Sequence, residues 1–252
     1  MISFSNILKK YQEKTVLHNV SLDLPENKLI AFIGSNGAGK STLISIISRI
    51  LSKDEGEVYI EEKDIKLWNT TELAKTISIL KQSNFLNVRI TVKELVGFGR
   101  FPYSKGKLNS EDKRIVEEAI DYMNIKHLEN RYLDQLSGGE RQMAFIAMTI
   151  AQDTKYILLD EPLNNLDMKH SVQIMKILKN LVRDKQKTVI VVIHDINFVS
   201  NYADYIVAMK QGQILKHGNT EDIITPEILK EIYNIDIDVM DVDGKNICIY
   251  YK

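Results

Sequence analysis

Leu29-Ile30-Ala31-Phe32-Ile33-Gly34-Ser35-Asn36-Gly37-Ala38-Gly39-Lys40-Ser41-Thr42 is the stretch whose reading decides the fold. Its second half matches the spacing G-x-x-x-x-G-K-S/T, which means a phosphate-binding loop only when a strand precedes it and a helix follows. Both contexts are present. Residues 29–33 are a short apolar run suited to a buried strand, and Leu43, Ile44, Ile46, Ile47, Ile50 and Leu51 recur at helical spacing. Glycines let successive N–H groups converge on an anion, and the helix starting near Lys40 adds the positive end of its dipole. Lys40 supplies a point charge for β- and γ-phosphates, and the Ser41 hydroxyl suits the coordination shell of Mg²⁺.

Downstream, Tyr156-Ile157-Leu158-Leu159-Asp160-Glu161-Pro162 reads as an apolar strand ending in two carboxylates. Adjacent residues on an extended strand point opposite ways. Asp160 is thereby free to reach a magnesium ion while Glu161 turns toward a water that it polarises as general base. A generic acidic pair at a strand end is the other reading of the same residues. The strand Thr188-Val189-Ile190-Val191-Val192-Ile193 ends at His194, an imidazole able to hydrogen-bond a γ-phosphate or to serve only the local structure. Ile77-Ser78-Ile79-Leu80 predicts a further strand, and Gln82 at its mouth is either a plain loop glutamine or a neutral holder of water or metal.

Leu136-Ser137-Gly138-Gly139-Glu140-Arg141-Gln142 opens a second glycine-led helix, continued by Met143, Ala144, Ile146, Ala147, Ile150 and Ala151. It offers backbone N–H groups, a hydroxyl and a helix dipole to an anion, without a lysine of the first type. An ordinary N-cap also accounts for Ser137. Asn164-Asn165-Leu166-Asp167 leads into a helix that Asp167 begins. Tyr11 falls in a polar turn between two strands of residues 2–24, where its ring caps a hairpin or stacks on a nucleotide base.

The remaining periodicities predict a helix beginning at Thr70 and another capped by Ser110, with Glu111 and Asp112 in its first turn. Gly97-Phe98-Gly99-Arg100-Phe101-Pro102 reads as a loop showing two aromatics beside an arginine, suited to docking. A closing hairpin turns at Gln211-Gly212, a helix starts at Thr225-Pro226, and a last hairpin turns at Asp243-Gly244. The pattern predicts an α/β fold with an N-terminal antiparallel β subdomain and a helical insertion. Residues 1–252 are expected to form one ATP-binding domain: core 1–88 and 152–220, helical subdomain 89–151, and terminal helix and hairpin 221–252.

Composition is uninformative about partners but excludes some classes. Lys plus Arg number 33 and Asp plus Glu 34, so the net charge of -1 gives no global field for nucleic acid. The single cysteine, Cys248, rules out an internal disulfide framework and fits a small packed side chain in a reducing compartment. No run approaches the roughly 18 to 20 apolar residues that cross a bilayer. The N-terminus lacks a basic segment followed by an apolar one, so a cytoplasmic protein is expected, reaching any membrane through a partner.

Taken in order, Tyr11, residues 34–42, Gln82, residues 136–142, residues 156–161, Asp167 and His194 resemble the ATP-binding subunit of an ABC transporter, over nearly the whole chain. In that family Gly34 to Ser41 corresponds to Walker A, Gln82 to the Q-loop, Ser137 to Gln142 to the signature, Asp160-Glu161 to the end of Walker B and His194 to the switch histidine. The resemblance implies a P-loop NTPase core of RecA type and a head-to-tail dimer of two copies, each ATP lying between one chain's residues 34–42 and the other's Ser137, Gly138, Gly139 and Glu140. It also implies Tyr11 on adenine, Ser41, Gln82 and Asp160 toward Mg²⁺, and Gln82 as the link to a transmembrane partner. Asn164-Asn165 departs from the small residues frequent there. Thr91-Val92 and Gly99-Arg100-Phe101-Pro102 are similar to the importers of iron–siderophore complexes, whose relatives import vitamin B12 or haem. Two membrane permease subunits and an extracytoplasmic substrate-binding protein are then implied, at the cytoplasmic face of the membrane. A soluble ABC ATPase of translation or DNA repair is the competing class, disfavoured by the single cassette and balanced charge. A non-hydrolysing nucleotide sensor is disfavoured by Glu161 and His194.

Overall fold

The computed structural model describes residues 1–82 and 88–251. In chain order the elements are β1 (Ile2–Tyr11), β2 (Lys14–Leu24), β3 (Leu29–Ile33), α1 (Lys40–Ile47), β4 (Glu55–Ile60), β5 (Lys63–Asp64), α2 (Thr70–Thr76) and β6 (Ile77–Leu80). There follow α3 (Val92–Phe98), α4 (Phe101–Ser104), α5 (Ser110–Tyr122), α6 (Gly138–Ala151), β7 (Tyr156–Asp160) and α7 (Met168–Lys185). The chain closes with β8 (Thr188–Val192), α8 (Ile196–Tyr202), β9 (Tyr205–Lys210), β10 (Gln213–Asn219), α9 (Thr220–Ile223), α10 (Pro226–Tyr233), β11 (Asp238–Val242) and β12 (Lys245–Ile249). Two compact units result, Met1–Trp68 with Thr188–Lys252, and Asn69–Lys187.

In the first unit, β3 and β8 are buried at every residue. Strands apolar on both faces belong inside a parallel sheet. β3 accordingly pairs in parallel with β8 (Leu29 opposite Val189) and with β9 (Ile30 opposite Tyr205), and β10 returns antiparallel beside β9. β1 and β2 alternate buried and exposed residues, as expected of a sheet with one wet face. They form an antiparallel sheet in the order β2-β1-β4-β5. α1 stops at Ile47, short of the Leu51 that periodicity suggests. The Ser48 hydroxyl bonds back to Ile44 O at 2.9 Å, and Arg49 turns left-handed (φ 59°) so that its guanidinium donates to Trp68 O at 2.6 Å. Ile50 and Leu51 follow outside the helix.

In the second unit β6 and β7 pair in parallel, Ile77 opposite Tyr156. α3, α5 and α6 bury Val92, Leu95, Val96, Val116, Ile120, Met143, Ile146 and Ala147 against one another. Asn109, not Ser110, caps α5. Its side chain accepts from Asp112 N at 2.8 Å while Asp112 accepts from Asn109 N, a reciprocal pair for which the shorter Ser110 stands one residue too late. Among the described residues no helix is long and apolar enough to cross a membrane.

Candidate functional site

The phosphate-loop side of the site lies in the first unit. β3 delivers the chain to Gly34, where φ is 134° and an added Cβ would stand 2.0 Å from Met209 O on β9. Only glycine fits that position. Lys40 is buried, and its Nζ donates to Gly34 O at 2.7 Å and Ser35 O at 2.9 Å, which holds the ammonium within the curl of the loop. Among described helices of seven residues or more, α1 differs from the rest in having no side-chain cap at its N-terminus. Its first turn also carries no acidic residue. Both features leave the positive end of the helix suited to an anion. Ser35, Asn36 and Gly37 are exposed, whereas Ala38 and Gly39 are buried beneath them.

Sequence reasoning missed a support of this loop. Gly212, in the turn between β9 and β10, donates to Ala38 O at 3.1 Å and accepts from His18 N at 2.9 Å, so a hairpin nearly 180 residues downstream braces its back. Gly212 lies outside the phosphate-binding motif and was legible only as the turn of a hairpin. Tyr233, at the end of α10, has a buried hydroxyl with no hydrogen-bond partner among the described residues, and burial pushes that hydroxyl up to about 12. His194 is exposed between β8 and α8. It directly precedes Asp195, the N-cap of α8, whose carboxylate accepts from Asn197 N at 2.8 Å. Tyr11 is the last residue of β1 rather than part of the turn, because its backbone still pairs with Lys14. Its ring is half-exposed, with Lys9 Nζ 5.6 Å from the centroid.

The second unit brings together the carboxylates and the second glycine-led helix. Asp160 ends β7 and is buried. Glu161 does not continue the strand, as the alternation argument assumed, but takes a left-handed conformation (φ 53°). Its direction is set by that turn and by two donors to Oε2, Gln82 Nε2 at 2.5 Å and Asn164 Nδ2. Asn164, which the sequence marked only as a departure from a family pattern, therefore touches the candidate general base. The next loop residue, Asn165, is also left-handed (φ 59°), and Asp167 caps α7 by accepting from His170 N at 2.8 Å. The His170 backbone N–H, then its ring, holds the Asp167 carboxyl below the usual aspartate range.

Ser137 caps α6 as a reciprocal box. Glu140 Oε2 accepts from the Ser137 backbone N–H and hydroxyl, both at 2.8 Å, while Glu140 N donates to Ser137 Oγ at 3.3 Å. These bonds, the backbone one foremost, hold the Glu140 carboxyl below its ordinary value. Of the two readings of Ser137, the N-cap is the one these bonds show. Gln142 Nε2 donates to Pro162 O at 3.0 Å, tying α6 to the loop after Glu161. Gly139 packs on His170, whose Nδ1 lies 2.7 Å from where a Cβ would stand.

A lysine-bearing phosphate loop, a strand-end carboxylate pair and a serine-capped signature helix are the parts of a nucleotide-hydrolysing cassette. Residues 17–164 match the family described as ABC transporter. The chain belongs to the ABC transporter family. Its ATP-binding relatives include the petrobactin import ATP-binding protein YclP of Bacillus subtilis (strain 168), 53% identical over 252 residues and covering 100% of both chains. Among solved structures, a metal-chelate type ABC transporter in an inward-facing conformation is similar over 99% of this chain and 98% of its own, with TM-score 0.84 and 26% identity. The ATP-binding cassette MJ0796, a dimer in a post-hydrolysis state bound to ADP and Pi, is similar over 87% of this chain and 99% of its own, with TM-score 0.77 and 31% identity. This ABC ATPase binds ATP and hydrolyses it.

Proposed function

We propose that this ABC ATPase is the motor subunit of an importer for iron–siderophore complexes, in which ATP binding joins two copies and hydrolysis parts them. The observation that carries the cargo class is the full-length similarity to a petrobactin import protein. Import relatives argue against a role in translation or DNA repair, and the balanced charge supports no nucleic-acid partner. All 252 residues then serve one ATP-binding domain, with residues 89–151 as its helical subdomain and 221–252 as its tail.

The residues fit ATP and Mg²⁺. An uncapped helix N-terminus and an inward-held ammonium suit phosphate oxygens. A carboxylate, a hydroxyl and an amide oxygen are hard oxygen donors of the kind that Mg²⁺ takes together with phosphate. Ser41, Asp160 and Gln82 are its candidate protein ligands. When bound, Mg²⁺ neutralises charge developing on the phosphate oxygens.

Residues 34–42 bind the phosphates, and Tyr11 offers its ring to adenine. Glu161, oriented by Gln82 and Asn164, takes the proton of the attacking water. His194 donates a hydrogen bond to the γ-phosphate. Ser137, Gly138, Gly139 and Glu140 of the second copy close over the same phosphate, and Asp167 holds the start of α7 beside that contact. The dimeric MJ0796 cassette supports this arrangement. Two transmembrane permease subunits dock on the exposed Phe98 and Phe101, placing the chain at the cytoplasmic face of the membrane, and an external binding protein delivers the cargo. The test is to purify the chain with its membrane subunits and measure ATPase stimulation by binding protein loaded with ferric petrobactin, other ferric siderophores, haem or vitamin B12. Stimulation by a ferric siderophore is expected. Stimulation by haem or vitamin B12 alone would overturn the cargo, and a chain that joins no membrane subunit would overturn the transporter role.

A further inference from the structure

The short connection between α3 and α4 was expected to display Phe98, Arg100 and Phe101 together. It separates them instead. Phe98 is 53% exposed and Phe101 59%, whereas Arg100 is only 4% exposed. The guanidinium reaches three elements. Nε donates to Asp112 Oδ1 at 3.0 Å in the first turn of α5, and Nη1 donates to Ala151 O at 2.9 Å, at the C-terminal end of α6. The group also lies 3.8 Å from the Tyr103 ring centroid in α4. Tyr103 adds a second tie to the same end of α6, donating its hydroxyl to Gln152 O at 3.1 Å. Gly99 lets the backbone come so close that a Cβ would stand 2.2 Å from Met148 O of α6.

Arg100 and Asp112 are both buried. A buried ion pair is a weak device for stability alone, because desolvation offsets most of the attraction. Its merit here is geometric, since a guanidinium with fixed donors resists rotation where an apolar contact slides. The helix it grips is the one whose other end is Ser137. α6 has 14 residues, so a push at Ala151 arrives about 21 Å away at the signature.

We infer that Arg100 is a positioning residue that locks the docking aromatics Phe98 and Phe101 to the C-terminal end of α6, so that a membrane subunit bound on those rings moves Ser137. This rests on the transporter reading above, and adds to it the joint through which docking controls closure of the ATP site. The occupant of the rings is a cytoplasmic segment of the membrane subunit with apolar side chains and carboxylates, because the exposed cations Lys105 and Lys107 closely follow Phe101 in the chain and exposed Lys75 lies 4.8 Å from the Tyr103 ring of the same helix. An uncoupled joint leaves the isolated ATPase intact and silences its response to cargo.

The test compares wild type, Arg100→Lys and Tyr103→Phe as full chains, alone and assembled with the membrane subunits in vesicles. The readouts are ATPase of the isolated chain, the amount retained on the membrane subunits, and stimulation by binding protein loaded with ferric petrobactin or another stimulating chelate. Arg100→Lys is expected to keep isolated ATPase and retention within about twofold while stimulation drops about tenfold. Tyr103→Phe, which removes one hydroxyl from the same joint, is expected to lose stimulation in the same selective way, and carries the test if the lysine variant does not fold. Full stimulation in both variants overturns the joint and leaves the transporter reading standing. Isolated ATPase falling in parallel with stimulation also overturns it, since Arg100 would then only support the fold. A wild-type chain that binds no membrane subunit overturns both readings.

Discussion

Glu161 is a single carboxylate whose usefulness depends on its neighbours. Its left-handed backbone turns it away from the strand direction of Asp160, and Gln82 and Asn164 both donate to Oε2. Glu161→Gln keeps the size of the side chain and removes the acceptor of the water proton. Turnover should fall by about two to four orders of magnitude while ATP binding persists, and size-exclusion chromatography with ATP should show a trapped dimer. Normal hydrolysis by this variant would sink the general-base assignment. Lys40, Ser41, Asp160 and Glu161 stand out as candidates from spacing alone, because the chemistry constrains residue type and position together. The orientation of Glu161 was not. It depends on a dihedral angle and on a donor 79 residues upstream, neither of which leaves a local signal. Arg100 was read as exposed for the same reason, since its partners at positions 112 and 151 are distant in sequence.

At the level of elements, capping chemistry decides where helices begin, and α6 offers a test of it. Ser137→Ala removes the hydroxyl from the box with Glu140 and should cost about 1 kcal/mol of stability near neutral pH. Because its hydrogen bonds to Ser137 hold the Glu140 carboxyl below the usual glutamate range, its contribution is present above that range and lost as pH falls through the depressed folded value. The stability gap between wild type and Ser137→Ala should therefore narrow as pH drops below about 4.5, while the bond from Glu140 N to Ser137 Oγ preserves part of it. Denaturant unfolding at several pH values would measure this. A gap independent of pH would show that the carboxylate is not a partner of the hydroxyl. Helix ends were the least legible elements. α1 lost its expected last turn to the Ser48 back-bond and the left-handed Arg49, and α5 took Asn109 as cap because its reciprocal partner is Asp112.

For the whole molecule, the two helix starts proposed to meet across the nucleotide differ in their caps. α1 opens without a side-chain cap at the lysine-bearing loop, and α6 opens with a serine box at the signature. Ser137→Arg should leave ATP binding to the isolated chain near normal, because residues 34–42 are untouched, yet prevent closure of the ATP-joined dimer. Light scattering with a non-hydrolysable ATP analogue would read this, and a variant that still dimerises would refute the role of Ser137 across the dimer. By itself the sequence determined the motif order, the buried parallel strands and the helical stretch between residues 92 and 151, and it named the candidate phosphate-binding and catalytic residues. Those features are encoded by short-range periodicity and by spacing that backbone geometry enforces. Only the tertiary structure decided which neighbours hold them: Gly212 behind the phosphate loop, Asn164 on Glu161, and Arg100 turned inward to the end of α6. The physical reason is that a hydrogen bond is satisfied by proximity in space, and residues tens of positions apart write nothing into their local sequence to announce that they will meet.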